Sequence, residues 1–342
     1  MIRIQNIYYM LAYAFQILKE QGYSNVATEE FENTADLLSA ILVKGVSIQI
    51  KRGLSREYVE ETETLSGLRG KIDVTDSIKK QTLIKQQLVC NYDEFSVDSY
   101  KNQIIKTTAE LLMRYNIPLS RKKELRNLMS YFKDVKTLDP YNINWNIQYN
   151  RNNQTYRMLI SICHLVIKGL LQTTSNGQLK LMEFIDEQRM CRLYEKFILE
   201  YFKKEYPQIK TAASQIDWAL DDGISTMLPT MQSDIMLSYE GRTLIIDAKY
   251  YAHTTQVQYD VHTLHSNNLY QIFTYVKNKS VQGGIVAGML LYAKTDEVIQ
   301  PNQQFKMSGN TICVRTLDLD CDFSQVSSQL NGIADAFIKG EL

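Results

Sequence analysis

Residues 244–251 read LIIDAKYY, an apolar and β-branched run that ends on Asp247 and Lys249. The run predicts a buried strand, because β-branched residues fit the pleated, half-buried surface of a sheet. A charged side chain in a low-dielectric interior is costly unless it is paired or binds a metal ion. The strand therefore either reaches the surface at Asp247 or meets a cation there.

The preceding residues predict a hairpin partner for this strand. The sequence SDIMLSYEGRTLIIDAKYY (233–251) places a Glu-Gly pair where a two-residue turn is expected. With that turn, Asp234 stands opposite Asp247, and residues paired in this way have Cβ atoms about 4.5–5.5 Å apart. Lys249 lies on the same face as Asp247, because side chains alternate along a strand. Two carboxylates and one ammonium group are thus predicted to share one face of the sheet.

These three side chains suit Mg²⁺-dependent cleavage of a phosphodiester bond. Two carboxylates at that separation repel each other, and a divalent cation between them reverses the sign of the interaction. Mg²⁺ prefers oxygen ligands, polarises a phosphate and activates water, while a lysine can orient that water and offset developing charge. We therefore predict a site for one or two Mg²⁺ ions at Asp234 and Asp247, with Lys249 as a catalytic residue.

The helix predicted before the hairpin offers a third acidic residue. Counting by three and four from Glu195 gives Cys191, Leu199 and Phe202, an apolar stripe that one carboxylate interrupts. Glu200 instead shares its side of the helix with three lysines. Glu195 is therefore a candidate metal ligand and catalytic residue, and Glu200 serves as its control.

The helix predicted after the hairpin, over residues 267–278, carries two further polar candidates. Gln271 and Tyr275 lie four residues apart and therefore on one face. Their amide and hydroxyl groups can hydrogen-bond to a phosphate or to a catalytic neighbour. A QxxxY spacing is common by chance, so its weight comes from its position after the hairpin.

Bulk composition argues against a strongly basic nucleic-acid-binding protein, a secreted protein and a membrane protein. The 342 residues include 38 basic and 38 acidic side chains, so a basic surface for nonspecific nucleic-acid binding is not expected. Five cysteines without a CxxC pair indicate thiols in a reducing compartment. The sequence has no secretory signal and no run of about 18 apolar residues. We therefore expect a cytoplasmic protein that has no membrane partner.

Hydrophobic periodicity predicts two domains. Several helical patterns occupy the first half, and the loop-like sequence TTSNGQ (173–178) marks a boundary between residues 1–178 and 179–342. In the second domain the order helix, hairpin, helix, strand, strand predicts a mixed sheet with helices on its faces. The predicted fold class is α/β, with an N-terminal domain of helices and a β-hairpin followed by an α/β domain.

The hairpin of the first domain is predicted near residues 44–64. The sequence VSIQIKRGLSREYVEETETL (46–65) alternates apolar and polar residues on both sides of KRGLS. It carries much charge and little apolar area. It is therefore either a projecting hairpin or an ordinary sheet edge that its charges protect from pairing.

The site residues resemble those of the PD-(D/E)XK nuclease superfamily, and the QxxxY helix is similar to that of its RecB-like branch. A closer resemblance extends over almost the whole chain. The sequences NIYYMLAYA, RGL…Y, LRGKID, NQIIK, LPTMQSDI, LIIDAKYY and HSNNLYQ stand in the order and approximate spacing of the McrC family. This family supplies the nuclease subunit of McrBC-type restriction systems, which act on DNA that contains 5-methylcytosine.

The resemblance implies roles for particular residues. Asp234, Asp247 and Lys249 correspond to the D…DxK residues of a PD-(D/E)XK restriction-endonuclease-like domain. Ala248, at the X position, is implied to offer its backbone carbonyl to the metal ion. The family does not always keep an acidic residue at Glu195, so that assignment depends mainly on the apolar stripe.

The resemblance also implies partners. The family works with an AAA+ GTPase of the McrB type, which forms hexameric rings, recognises the modified double-stranded DNA and translocates it. The McrC subunit docks on the ring through its N-terminal half and stimulates GTP hydrolysis. On this basis we expect the hairpin near residues 44–64 to enter the ring, with Lys51, Arg52 and Arg56 as partner-binding residues.

Two other functions remain open from the sequence alone. A stand-alone DNA repair nuclease of the RecB-like type explains the second half and leaves the first half without a role. A catalytically silent bridge that only activates the GTPase is a further alternative. The intact D…DxK arrangement disfavours this bridge.

Overall fold

The computed structural model describes residues 2–15, 29, 31–149, 154–176, 187–223, 226–251, 255–258, 261–297 and 299–342. Its helices are α1 Ile4–Phe15, α2 Thr34–Arg52, α3 Val74–Lys79, α4 Tyr100–Arg114, α5 Leu119–Met129, α6 Gln154–Asn176, α7 Glu187–Glu205, α8 Ser266–Val281 and α9 Phe323–Lys339. Its strands are β1 Glu57–Leu65, β2 Lys71–Ile72, β3 Leu88–Ser96, β4 Lys210–Ala212, β5 Gln215–Ile216, β6 Met231–Gln232, β7 Ile235–Tyr239, β8 Arg242–Lys249, β9 Thr255–Gln258, β10 Val261–Leu264, β11 Ile285–Ala293, β12 Gln303–Met307 and β13 Asn310–Leu317.

The chain divides into two compact units, and its first residues belong with its last. One unit contains residues 32–184, and the other contains residues 1–31 and 185–342. The predicted first domain included residues 1–31, whereas these residues belong with residues 185–342. The reason is the apolar face of α1, which packs on α7: the rings of Tyr13 and Phe197 lie 5.7 Å apart, edge to face.

The first unit does not contain the hairpin predicted near residues 44–64. Helix α2 begins at the cap formed by Asn33, whose side chain accepts a hydrogen bond from the backbone N–H of Asp36 at 3.0 Å. It continues to Arg52 because its buried face extends through Val46 and Gln49, and it ends at Gly53, which has a φ of 89°. The predicted first arm of the hairpin is therefore the end of a helix.

Strand β1 instead pairs with a strand that follows it by more than twenty residues. It runs antiparallel to β3, in a three-stranded sheet of order β1-β3-β2. Buried Asn102 of α4 fixes both strand ends, since its Nδ2 donates to the carbonyl oxygens of Ser55 and Val97 at 2.9 and 2.8 Å. Helix α6 extends to Asn176, so residues 173–176 of the predicted loop are helical, and the two units divide after residue 184, six residues beyond the predicted boundary.

The second unit contains a six-stranded mixed sheet of order β12-β13-β11-β8-β7-β4. Strands β8, β11 and β13 are parallel, and the other neighbours in the sheet are antiparallel. Helix α8 packs on one face, where Ile272 and Val276 join Ile245, Leu290 and Ile312 in a buried core. This mixed α/β arrangement confirms the predicted α/β fold class.

The predicted register of the second hairpin is confirmed. Ile235 pairs with Ile246 and Tyr239 pairs with Arg242, so the turn is made by the two residues between the strands. Those residues, Glu240 and Gly241, have φ values of 46° and 76°. Two left-handed residues give the turn whose twist matches that of the flanking strands.

Close packing of α8 on β11 leads to a stability prediction. A Cβ atom at Gly288 would lie 2.7 Å from Val276 Cγ2 and 2.8 Å from Ile272 Cγ1. We expect Gly288→Ala to lower the free energy of unfolding by about 1–3 kcal/mol, because the packed core must shift. Gly332→Ala is the matched control, since a Cβ there meets nothing within 4 Å and the residue is helical. This control is expected to stabilise by about 0.5–1 kcal/mol.

Chemical denaturation of both variants measures these changes. Equal stability of Gly288→Ala and the wild type would contradict the packing of α8 described above.

Across the part of the chain that the structure describes, no helix is both long and apolar enough to cross a membrane.

Candidate active site

Strand β8 ends in a buried ion pair. Asp247 is 1% exposed, and its Oδ2 lies 2.9 Å from Nζ of Lys249, whose side chain is 13% exposed. Both residues point to the face of the sheet that α8 covers, because side chains two apart share a face and Ile245 packs there with Ile272 of α8. The apolar run therefore does not surface at Asp247, and the nearest cation is supplied by the same strand.

Asp234 lies immediately before β7 and beside this pair. Its Oδ2 accepts a hydrogen bond from the backbone N–H of Ala248 at 3.0 Å. This bond fixes the Asp234 carboxylate against the end of β8, next to Asp247. The hairpin register therefore brings the two predicted carboxylates together.

The charges in this cluster act strongly on one another. Burial and the neighbouring Asp234 raise the pKa of Asp247 well above its ordinary value, although Lys249 acts in the opposite direction. Burial alone would lower the pKa of Lys249, but Asp247 and Asp234 raise it above its ordinary value. Lys249 therefore stays protonated, and the two carboxylates are crowded into a site where a further cation would be favourable.

The residues present fit a divalent cation. Oδ1 of Asp247 is buried and has no hydrogen-bond partner among the residues that the structure describes. A buried carboxylate oxygen without a partner is costly, and coordination of a cation satisfies it. Mg²⁺ is commonly held by one or two carboxylates together with substrate phosphates. Asp234 and Asp247 supply that number.

Glu195 of α7 lies within electrostatic reach of this cluster. It is partly buried, and its Oε1 accepts a hydrogen bond from Sγ of Cys191 at 3.1 Å. Burial raises the pKa of Glu195, and Asp234 raises it further. However, no three acidic, histidine or cysteine side chains in the described part of the chain form a ready-made metal cluster. Glu195 is therefore near the two aspartates without completing a three-ligand set.

The control residue on the same helix behaves differently. Glu200 forms an ion pair with Lys203 at 2.9 Å, on the side of α7 that carries the lysines. Its partner is thus a neighbour on its own helix.

The QxxxY pair of α8 reaches Lys249 at the end of β8. Oε1 of Gln271 accepts a hydrogen bond from Nζ of Lys249 at 3.3 Å, and its Nε2 donates to the Tyr275 hydroxyl at 2.9 Å. The pair was predicted to hydrogen-bond to a phosphate or to a catalytic neighbour. The structure shows a hydrogen bond to Lys249, whose catalytic role stays a prediction. Lys249 is therefore oriented by Asp247 on its own strand and by Gln271 on the facing helix.

Three polar residues close to the site were missed in the sequence analysis. Asn268 is buried on α8, donates from Nδ2 to the Tyr292 hydroxyl at 3.0 Å and accepts from the Tyr251 hydroxyl at 3.3 Å. Counting backwards by three from Gln271 would have found Asn268, since residues three apart share a helix face. The two tyrosines carry no comparable signal, because their contacts depend on how the strands lie in the sheet.

A family model and a curated relative both match this chain, and both belong to McrBC restriction systems. A family model described as "McrBC 5-methylcytosine restriction system component" matches residues 4–293. The "Type IV methyl-directed restriction enzyme EcoKMcrBC" of Escherichia coli strain K12 is 28% identical over 346 residues, which cover 99% of each chain.

A solved structure is similar over nearly the whole chain. It is the refined half-complex from a tetradecameric assembly of Thermococcus gammatolerans McrB AAA+ hexamers with bound McrC. The match has a TM-score of 0.51 and 18% identity, and it covers 96% of this chain and 76% of the other. At that identity the match is a likeness of fold.

Proposed function

The chain belongs to the family of McrBC 5-methylcytosine restriction system components, and from this premise we propose that it is the DNA endonuclease subunit of a GTP-dependent restriction complex. The observation that carries the proposal is the buried pair of Asp247 and Lys249 beside Asp234, with one Asp247 oxygen that has no hydrogen-bond partner among the described residues. A structural ion pair alone does not account for a second carboxylate held against it.

The chemistry follows from the positions of these side chains. Asp234 and Asp247 would hold Mg²⁺, with the Ala248 carbonyl as a further oxygen ligand. When bound, Mg²⁺ polarises the phosphate and promotes ionisation of the attacking water. Lys249 orients that water and offsets negative charge that develops on the phosphate. Gln271 keeps the ammonium group in place through its hydrogen bond to Nζ.

We further propose that the chain works with an AAA+ GTPase of the McrB type, which forms a hexameric ring, and that it stimulates GTP hydrolysis. The similar Thermococcus structure contains AAA+ hexamers of McrB with bound McrC. Zero formal net charge supports a nuclease that another protein delivers to modified double-stranded DNA. Five free cysteines support action in the reducing cytoplasm.

The small sheet of the first unit supports a partner surface. Tyr58 and Phe95 are directly paired across β1 and β3, with ring centroids 5.2 Å apart, and they are 74% and 54% exposed. Further exposed apolar side chains lie along the chain between β1 and β3, namely Leu68, Val74, Ile78, Leu83 and Ile84. Exposed apolar side chains that lie together, as those of Tyr58 and Phe95 do, are typical of an interaction site. A stand-alone repair nuclease has no use for such a surface.

Charge reversal tests the predicted partner-binding residues. Lys51 and Arg52 are the last residues of α2, Arg56 immediately precedes β1, and all three are exposed. We expect the triple change to glutamate to weaken stimulation of the GTPase roughly 10-fold at limiting concentration, since interface charges govern association. Steady-state GTP turnover measures the effect.

The matched control reverses three other exposed cations of the same unit. These are Lys123, Arg126 and Lys133. Their reversal is expected to leave stimulation unchanged. Equal loss in both triple variants would mean that net charge, and not the end of α2, determines the association.

Cleavage and GTP turnover measured in the same reaction test the function as a whole. The chain is combined with its GTPase, GTP, Mg²⁺ and DNA that either contains or lacks 5-methylcytosine. We expect cleavage of the methylated DNA only, and only when the GTPase and Mg²⁺ are both present. Cleavage without the GTPase would favour the stand-alone nuclease, and stimulated GTP turnover without cleavage would favour the silent bridge.

A further inference from the structure

Asn268 connects the ends of two parallel strands to helix α8. Tyr251, whose hydroxyl donates to Asn268 Oδ1, follows Lys249 by two residues. Tyr292, whose hydroxyl accepts from Asn268 Nδ2, stands beside Lys249 in the register of β8 and β11. One amide therefore joins the chain just beyond the catalytic lysine to the neighbouring strand.

The burial of this network gives each hydrogen bond a large effect. Tyr292 is fully buried and Asn268 is 6% exposed, so water cannot replace either partner in place. A buried hydroxyl or amide that loses its partner costs about 1–3 kcal/mol. The amide of Asn268 uses its donor and its acceptor at once, and no apolar side chain can reproduce both.

Asn268 and Gln271 lie on one face of α8, one turn apart. Asn268 hydrogen-bonds to the two tyrosines near Lys249, and Gln271 hydrogen-bonds to Lys249 itself. The distance between α8 and the end of β8 is therefore fixed next to the ammonium group. A change at Asn268 moves Gln271 and Lys249 relative to each other.

We propose that Asn268 is a positioning residue for the nuclease, which holds α8 against the ends of β8 and β11 and thereby keeps Lys249 in its catalytic place. The proposal deepens the proposed function and rests on it. Asn268 makes no contact with Asp234 or Asp247 among its hydrogen bonds in the described structure, so its effect is transmitted through Lys249.

The expected consequence is a loss of turnover without a loss of DNA binding. Misplacement of a catalytic group by about 1 Å can cost on the order of 100-fold in rate. We expect Asn268→Ala to lower kcat for DNA cleavage at least 10-fold, with KM for DNA within twofold of the wild type. Tyr292→Phe, which removes the other half of the hydrogen bond, is expected to lower kcat in the same direction.

The experiment uses the full chain in complex with its GTPase. Asn268→Ala and Tyr292→Phe are studied singly and together, and Asn267→Ala is the matched control, since Asn267 is exposed on the same turn of α8. All assays are run well below the lowest thermal midpoint of the set. The double variant is expected to cleave no more slowly than the slower single variant, because both changes break one interaction.

A second measurement does not depend on cleavage. The rate at which acetic anhydride acetylates Lys249 is followed by mass spectrometry of the digested chain. Lys249 is largely buried and is held by Asp247 and Gln271. Loss of Asn268 is expected to raise this rate at least threefold, while Asn267→Ala leaves it unchanged.

The outcomes separate the inference from the proposed function. Wild-type kcat and unchanged Lys249 acetylation in folded Asn268→Ala would overturn the inference and assign Asn268 to stability alone. A rise in KM at unchanged kcat would also overturn it, because it would place Asn268 in DNA binding. If the wild type itself does not cleave, the proposed function fails, and the acetylation rates still decide whether Asn268 positions Lys249.

Discussion

Asp247→Asn is expected to abolish DNA cleavage, with a rate at least about 100-fold below that of the wild type. The substitution keeps the shape of the side chain and removes the negative charge that would hold Mg²⁺. Asp247 is 1% exposed, and its Oδ2 pairs with Lys249, whereas its Oδ1 has no hydrogen-bond partner among the described residues and is therefore available to a metal ion. Stimulation of the GTPase is expected to persist, because the proposed partner surface belongs to the other unit. Gel assays of cleavage and steady-state GTP turnover measure the two activities.

Asp320→Asn is the matched control for this change. Asp320 belongs to the same unit and its side chain is exposed. It should cleave at the wild-type rate. Cleavage by Asp247→Asn at a comparable rate would show that the chemistry lies elsewhere. Loss of both activities together with a lower thermal midpoint would show that Asp247 is needed for folding.

Lys249→Met is expected to eliminate cleavage and also to destabilise the second unit. In the absence of Mg²⁺, it leaves the buried Asp247 carboxylate without its ion-pair partner, and breaking a buried pair in this way costs about 3–5 kcal/mol. The free energy of unfolding, measured by chemical denaturation, is therefore expected to fall by about 3 kcal/mol or more. Gln271 also loses the donor that it accepts from.

A double variant separates the two effects of this change. Asp247→Asn combined with Lys249→Met removes both charges, and replacement of a buried ion pair by neutral residues is often close to neutral for stability. The double variant should therefore be more stable than Lys249→Met alone and remain inactive. A double variant that is less stable than either single variant would contradict the description of these residues as one coupled pair.

The core of the site could be predicted from the sequence because its geometry is local. A two-residue turn and a period of two fix the register of β7 and β8, and this register alone brings Asp234 to Asp247 and Lys249. The spacing of Gln271 and Tyr275 on one helix is equally local. None of these relationships required knowledge of distant parts of the chain.

The sequence-based predictions that were wrong or incomplete concern features that depend on contacts between residues far apart in the chain. The alternating pattern of residues 46–50 is typical of a strand, yet α2 continues through them because its other face is already buried. The partner of β1 is β3, and no local pattern indicates which strand another will pair with. Asn268 was missed for a related reason, since both tyrosines that it binds come from strand ends brought near α8 by the sheet.

The division of the second unit between the two ends of the chain affects how the protein is made. Helix α1 leaves the ribosome first, but α7, on which its apolar face packs, begins roughly 170 residues later. At about 5–20 residues per second, α1 waits on the order of 10–30 s for that surface, and a nascent-chain chaperone can shield it meanwhile. The intervening unit is translated in full before the unit that carries Asp247 can close. Premature termination of synthesis therefore leaves the site of Asp234, Asp247 and Lys249 unassembled.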